Sequence, residues 1–174
     1  MSSASGVVIR EAAPDDARAI ADVHVAAWRW AYRDDLPAAF LDGLTVDDRA
    51  REWSEWLTPD ARAGTLVAQE DGVIVGFCSF GPSRDEGATQ RTAEVLTIYL
   101  LEDVTGRGIG RELFASASDR LRDLGYRRAT LWVMASNDRS RRFYERAGWS
   151  WDGTTSDHRF DCANVPIVRY AGDL

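Results

Sequence analysis

Three glycines at alternate positions, Gly106, Gly108 and Gly110, sit in the stretch VTGRGIGREL with Arg107 and Arg111 beside them. Glycine is costly to order, by roughly 0.5–1 kcal/mol against alanine inside a helix or strand, so three in five positions need a reason. The stretch follows an apolar run, AEVLTIYLL, and opens a segment with helical patterning. Amide N–H groups there can turn toward one point, and the positive end of the following helix adds attraction, so the arrangement suits an anion, phosphate above all. Two named phosphate motifs fail on spacing. The dinucleotide fingerprint G-x-G-x-x-G needs a glycine where this chain has Arg111. The loop of nucleoside-triphosphate enzymes ends in Gly-Lys, and the chain contains no lysine. What remains is a G-x-G-x-G turn whose two arginines can bond a pyrophosphate, beside the plainer reading of a tight turn into a helix that binds nothing.

Glu94 is a second oddity, because it interrupts a strand otherwise built of Val95, Leu96, Thr97 and Ile98, where glutamate is disfavoured. Strict alternation puts it on one face with Leu96, Ile98 and Leu100. His24 and His158 are the only histidines, and His24 shares an apolar helix face with Trp28 and Tyr32, which favours a core or edge role over catalysis. Cys78, inside GVIVGFCSF, reads as a small buried hydrophobe. Neither it nor Cys162 has a cysteine or histidine at ligand spacing, so no metal site and no disulfide are expected.

The elements that must position these residues follow from apolar periodicity. VVIREA (7–12) reads as a strand, and Pro14, Asp15 and Asp16 suit a helix start. Ile20, His24, Trp28 and Tyr32, with Val23 and Ala27, line one face of a helix ending near Arg33. Segments 36–42 and 46–57 read as short helices, the second stopped by Pro59. TLVAQE and VIVGFCSF flank Asp71-Gly72, a strong hairpin signal. A polar loop (81–90), the strand AEVLTIYLL, a helix from about Gly108 to Leu124, and the strand 128–134 come next. Asn137 or Asp138 can cap a short helix that ends at Gly148, and two last strands are expected near 149–153 and 159–170. This order gives an α/β or α+β sheet with helices packed on it.

The whole chain of 174 residues is expected to form a single domain, 1–174, with residues 1–6 flexible. Its net charge of −7 argues against a nucleic-acid surface, and the lack of lysine excludes Schiff-base chemistry. MSSASG lacks the regions of a signal peptide, and no apolar run approaches the ~20 residues of a membrane span, so a cytoplasmic protein without membrane contact is expected.

AEVLTIYLLEDVTGRGIGRELF, the long helix after it, RATLWVMASN and RRFYERAGW together resemble the GNAT superfamily of acetyl-CoA-dependent N-acetyltransferases. The likeness is close over about residues 90–150, and the opening strand and helix are similar too. It implies a mixed, mostly antiparallel central sheet of about seven strands flanked by about four helices, with acetyl-CoA as acyl donor. It also implies that the backbone at Ile98, Tyr99 and Leu100 pairs with the pantetheine arm. The loop Thr105, Gly106, Arg107, Gly108, Ile109, Gly110 and Arg111 then holds the pyrophosphate, and Asn137 and Tyr144 also meet the cofactor. Thr105 stands where the family usually has arginine or glutamine, which puts one phosphate contact in doubt.

Acetyl transfer from a thioester needs an uncharged amine, a stabilised oxyanion and a proton for the departing thiolate. Glu94 resembles the glutamate that some members use as general base, often through water, although a solvated glutamate at a strand end is the other reading. Tyr144 resembles the family's general acid, and core packing is its alternative. Oxyanion donation falls to a backbone N–H near Leu100. Trp28 and Tyr32 are the candidate acceptor contacts. The resemblance implies an N-acetyltransferase for a primary amine of a small molecule, acting by direct attack in a ternary complex. A noncatalytic acyl-CoA sensor and a peptide or protein N-acetyltransferase are the alternatives, and the protein is a monomer or homodimer.

Overall fold

The computed structural model describes residues 6–60 and 62–174. The expected flexible stretch 1–6 lies, apart from Gly6, outside the described residues. In chain order the elements are β1 (Val7–Glu11), a 3-10 turn (Pro14–Asp16), α1 (Ala17–Ala31), α2 (Ala38–Asp42), α3 (Val46–Trp56), β2 (Gly64–Glu70) and β3 (Val73–Pro82). The second half contains β4 (Thr92–Leu100), a second 3-10 turn (Glu102–Val104), α4 (Ile109–Asp123), β5 (Arg128–Met134), α5 (Asp138–Arg146), β6 (Ser150–Arg159) and β7 (Asn164–Asp173). The strands form a seven-stranded sheet in the order β1-β2-β3-β4-β5-β7-β6. Every pairing is antiparallel except β4 with β5.

Local chemistry accounts for several of these boundaries. Asp71 and Gly72 both have positive φ, 50° and 85°, as a two-residue hairpin loop between right-twisted strands requires. The Thr45 hydroxyl accepts the Asp48 N–H and caps α3, and the Asn137 side chain accepts the Ser140 N–H and caps α5.

Alternation along β3 divides the core between the two faces. Phe77 packs with Ile20, Val23 and Trp53 under α1 and α3. Cys78 and Phe80 pack with Val95, Leu113, Leu121, Leu131 and Tyr144 under α4 and α5. Burying a side chain of this size stabilises the fold by about 1.5–3 kcal/mol, so the two clusters fix how the helices lie on the sheet.

Two expectations are corrected. The last hairpin turns at Phe160–Ala163, closed by reciprocal backbone bonds of 2.8 and 3.3 Å, so no single strand runs from 159 to 170. Alternation along β4 also fails, because Ser79 pairs with Thr97 while Phe80 pairs with Val95, leaving Leu96 as an extra residue. This bulge reverses the facing of one half of the strand relative to the other. Glu94 pairs with Gly81 and therefore shares the face of Thr97 and Tyr99, on the α1 side, and not that of Ile98.

Candidate active site

The parallel pairing of β4 with β5 is short, running only from Thr92–Arg128 to Glu94–Thr130. Beyond it β4 stays with β3 and β5 stays with β7, so the two central strands splay apart. The edge of β4 from Val95 to Leu100 thus has strand partners on one side only. A half-buried strand edge of this kind can present N–H and C=O groups to an extended ligand.

The glycine loop stands at the open end of this wedge, and its three glycines answer three different demands. Gly106 and Gly108 have φ of 78° and 87°, conformations that side chains with a Cβ resist, and an added Cβ at either would meet nothing within 4 Å. Gly110 has an ordinary backbone, but a Cβ there would lie 3.2 Å from Leu100 and 3.6 Å from Phe143, so it is the contact that lets α4 close on the wedge. Gly108 begins α4, whose first N–H groups have no intrahelical acceptor. The open space before two left-handed glycines and a helix N-terminus fits a pyrophosphate. Thr105 spends its hydroxyl proton on the Glu102 carbonyl at 2.6 Å, and Arg107 pairs with Glu70.

Three phenols gather at the wedge. Tyr32 and Tyr99 share a hydroxyl–hydroxyl bond of 2.9 Å. Tyr144 is buried, with Phe114, Phe143 and Tyr170 around its ring. Burial holds the Tyr144 phenol above its usual range, and the neighbouring Tyr99 and Cys78 add to the shift. Burial raises Tyr32 and Tyr99 as well. All three therefore carry their protons at neutral pH and can donate them.

Glu94 is 4% exposed, and Arg84 of the β3–β4 loop occupies most of its carboxylate. The Arg84 backbone N–H and Nε donate to Oε2 at 3.1 and 3.3 Å, and Nη2 donates to Oε1 at 3.0 Å. A carboxylate has about four lone-pair positions, so one remains open on Oε1. Next to this pair, Asp85 accepts from Trp132 Nε1 (2.8 Å), Arg169 Nη1 (3.1 Å) and Thr130 Oγ1 (3.2 Å). These bonds pin the loop across β5 and β7, beside a polar hollow of about 160 Å³.

The candidate acceptor contacts Trp28 and Tyr32 belong to an aromatic cluster that includes His24, Tyr99 and Phe160. His24 accepts the Trp53 Nε1–H on Nδ1 at 3.1 Å and stacks on Tyr99, with ring centroids 5.4 Å apart. Burial pushes its pKa down to about 3, so it is a neutral core residue at physiological pH. Cys78 is fully buried and burial raises its thiol pKa, whereas Cys162 is exposed in the last hairpin turn. Among the described residues no cluster of three metal-ligating side chains occurs, and no helix is long and apolar enough to cross a membrane.

Residues 22–149, which span the wedge, the loop and α5, match the family model for the acetyltransferase (GNAT) family. The chain belongs to this family. A GNAT relative, the uncharacterized N-acetyltransferase YuaI of Bacillus subtilis, is 35% identical over 132 residues, covering 75% of this chain and 73% of its own. The L-amino acid N-acyltransferase MnaT of Escherichia coli is 31% identical over 142 residues, 81% of this chain and 78% of its own. Among solved GNAT structures, yncA, a putative acetyltransferase from Salmonella typhimurium bound to acetyl-CoA, superposes with a TM-score of 0.73 at 22% identity over 97% of this chain and 94% of that one. The family is one of acetyltransferases, and acetyl-CoA is the cofactor that the Salmonella structure holds.

The wedge brings together Tyr99, Tyr144, Tyr32 and Trp28, and the glycine loop adjoins it through Leu100. Two partners escaped sequence reasoning. Arg84 lies in a polar loop without periodicity, and nothing in its context marks it as the counter-ion of Glu94. The Tyr32–Tyr99 bond joins residues 67 positions apart, beyond the reach of any local pattern.

Proposed function

We propose that this GNAT enzyme acetylates the primary amine of a small molecule by direct attack in a ternary complex, within a single domain. The observation that carries the reading is that Tyr144 is buried in the cluster that holds Val95 and Ile98 of β4, where burial raises its phenol. Acetyl-CoA supplies an acyl carbon activated as a thioester. The amides of Gly106, Arg107, Gly108, Ile109, Gly110 and Arg111 hold its pyrophosphate, the backbone of Ile98, Tyr99 and Leu100 aligns its pantetheine, and Asn137 flanks it from the cap of α5. Glu94 Oε1 takes the proton that an ammonium must lose before it can attack, directly or through water. The Tyr144 hydroxyl gives its proton to the departing sulfur, a role that suits a phenol kept neutral by burial. Trp28 and Tyr32 wall the acceptor, and the amino-acid acceptor in the name of MnaT supports a small-molecule amine.

The test is release of CoA thiol from acetyl-CoA over pooled amines: amino acids, polyamines, aminoglycosides and basic peptides. Release above the enzyme-only blank in a small-molecule pool is expected. Release with peptides alone contradicts the small-molecule acceptor.

A further inference from the structure

The side chains that hold the β3–β4 loop beside Glu94 are nearly all paired, and one guanidinium among them is not fully used. Asp85 is taken by Trp132, Arg169 and Thr130. Asp152 is taken by Arg169 Nε at 2.7 Å and by the Thr154 N–H at 2.9 Å. Arg169 uses all three of its nitrogens, on Asp152, Asp85 and Thr154. Arg84 differs. A guanidinium carries five N–H donors in a planar fork with two edges that each fit a carboxylate. Arg84 gives its Nε–Nη2 edge to Glu94, and its side chain is 70% exposed, so the Nη1–Nη2 edge faces outward. A buried carboxylate with one open lone pair therefore stands beside a solvent-facing guanidinium edge.

We infer that Arg84 is a specificity residue that binds an acidic group on the acceptor, so that the substrate is an amine with a carboxylate one carbon away, an α-amino acid. The inference rests on the acetyl-transfer reading given above. With its carboxylate on the outer edge of Arg84, such a molecule holds its α-amine on the side of Glu94 Oε1, where the proton is to be lost. One side chain thus orients both ends of the acceptor. The Asp85–Arg169–Trp132 pin makes this possible, because it fixes the loop from which Arg84 projects. A polyamine or other purely cationic acceptor finds a like charge at the same place.

The experiment compares each L-amino acid with its carboxamide, which keeps the amine and removes the negative charge, as acceptors for the wild-type enzyme, Arg84→Gln and Arg84→Lys. The wild type is expected to favour acids over amides in kcat/KM by about ten- to hundredfold, the span of a hydrogen-bonded charge pair. Arg84→Gln is expected to collapse that ratio through the KM of the acid, with the KM of acetyl-CoA unchanged, and Arg84→Lys to restore part of it. Arg84→Gln also unmasks the Glu94 charge, which repels an acid more than an amide, and Arg84→Lys, which keeps the positive charge and loses the planar fork, separates that repulsion from the substrate contact. Amides that react as well as acids, or a ratio that survives Arg84→Gln, overturn the inference and leave acetyl transfer standing. Turnover of some other amine with neither acids nor amides accepted overturns it too. No thiol release with any amine overturns both this inference and the acetyl-transfer reading.

Discussion

Arg107, in the middle of the glycine loop, directs both terminal nitrogens of its guanidinium at the carboxylate of Glu70, at the end of β2. The side chain expected to meet a phosphate is thus held by a carboxylate of the sheet, while Arg111 in the first turn of α4 is exposed. If the loop holds the pyrophosphate as proposed, Glu70 competes with it for Arg107. Because an ion pair near the surface is weak and is screened by salt, Glu70→Gln is expected to tighten CoA binding by up to about fivefold at low salt, with less effect at high salt. Calorimetric titration at two ionic strengths checks this. Weaker binding by the variant would instead assign the pair to stapling the loop onto the sheet.

Gly108 opens α4 at a φ of 87° with no neighbour within 4 Å of an added Cβ. Gly108→Ala therefore meets backbone strain and no clash, and is expected to cost about 1–2 kcal/mol of stability. Because the strain falls on the proposed phosphate cradle, the KM for acetyl-CoA is expected to rise as well. Denaturant unfolding and acetyl-CoA titration are the measurements, and an unchanged KM would remove the loop from the binding site.

His24 makes stability depend on pH. Its folded pKa of about 3 lies below the ordinary value of 6.5, so between those limits the unfolded chain binds a proton that the folded one refuses. Stability contributed by the neutral ring is complete above pH 6.5 and is lost as the pH falls toward 3. Between pH 7 and pH 4.5 the loss is on the order of 2–3 kcal/mol. His24→Gln, which retains an acceptor for the Trp53 N–H, is expected to flatten this dependence in urea unfolding at the two pH values. An equal slope in wild type and variant would place the titration elsewhere.

Much of this architecture is legible in residue order because local signals and tertiary packing agree. The Asp71-Gly72 pair sits at a tight hairpin, the repeat of Ile20, His24, Trp28 and Tyr32 marks the α1 face, and the glycines mark the start of α4. The bulge at Leu96 is not legible, since one inserted residue in a run of apolar side chains changes no composition and yet turns Glu94 to the other face. The last turn is hidden for a related reason. Asp161, Cys162 and Ala163 include no glycine or proline to punctuate the run. At the site, motif residues are recognisable singly, but Arg84 on Glu94 and Glu70 on Arg107 are tertiary pairings with no local signature.

We propose that Tyr144 acts as acid at the wedge between β4 and β5 and Glu94, at the last paired position before it, as base, so that the site performs chemistry and does not merely hold a coenzyme. The most direct test measures kcat for Tyr144→Phe and Glu94→Gln together with the Kd of each variant for CoA. Removal of a general acid or base is expected to lower kcat by about 10²–10⁴-fold, with the Kd for CoA held within a few fold of wild type. Unchanged kcat in both variants would contradict a chemical role for the wedge.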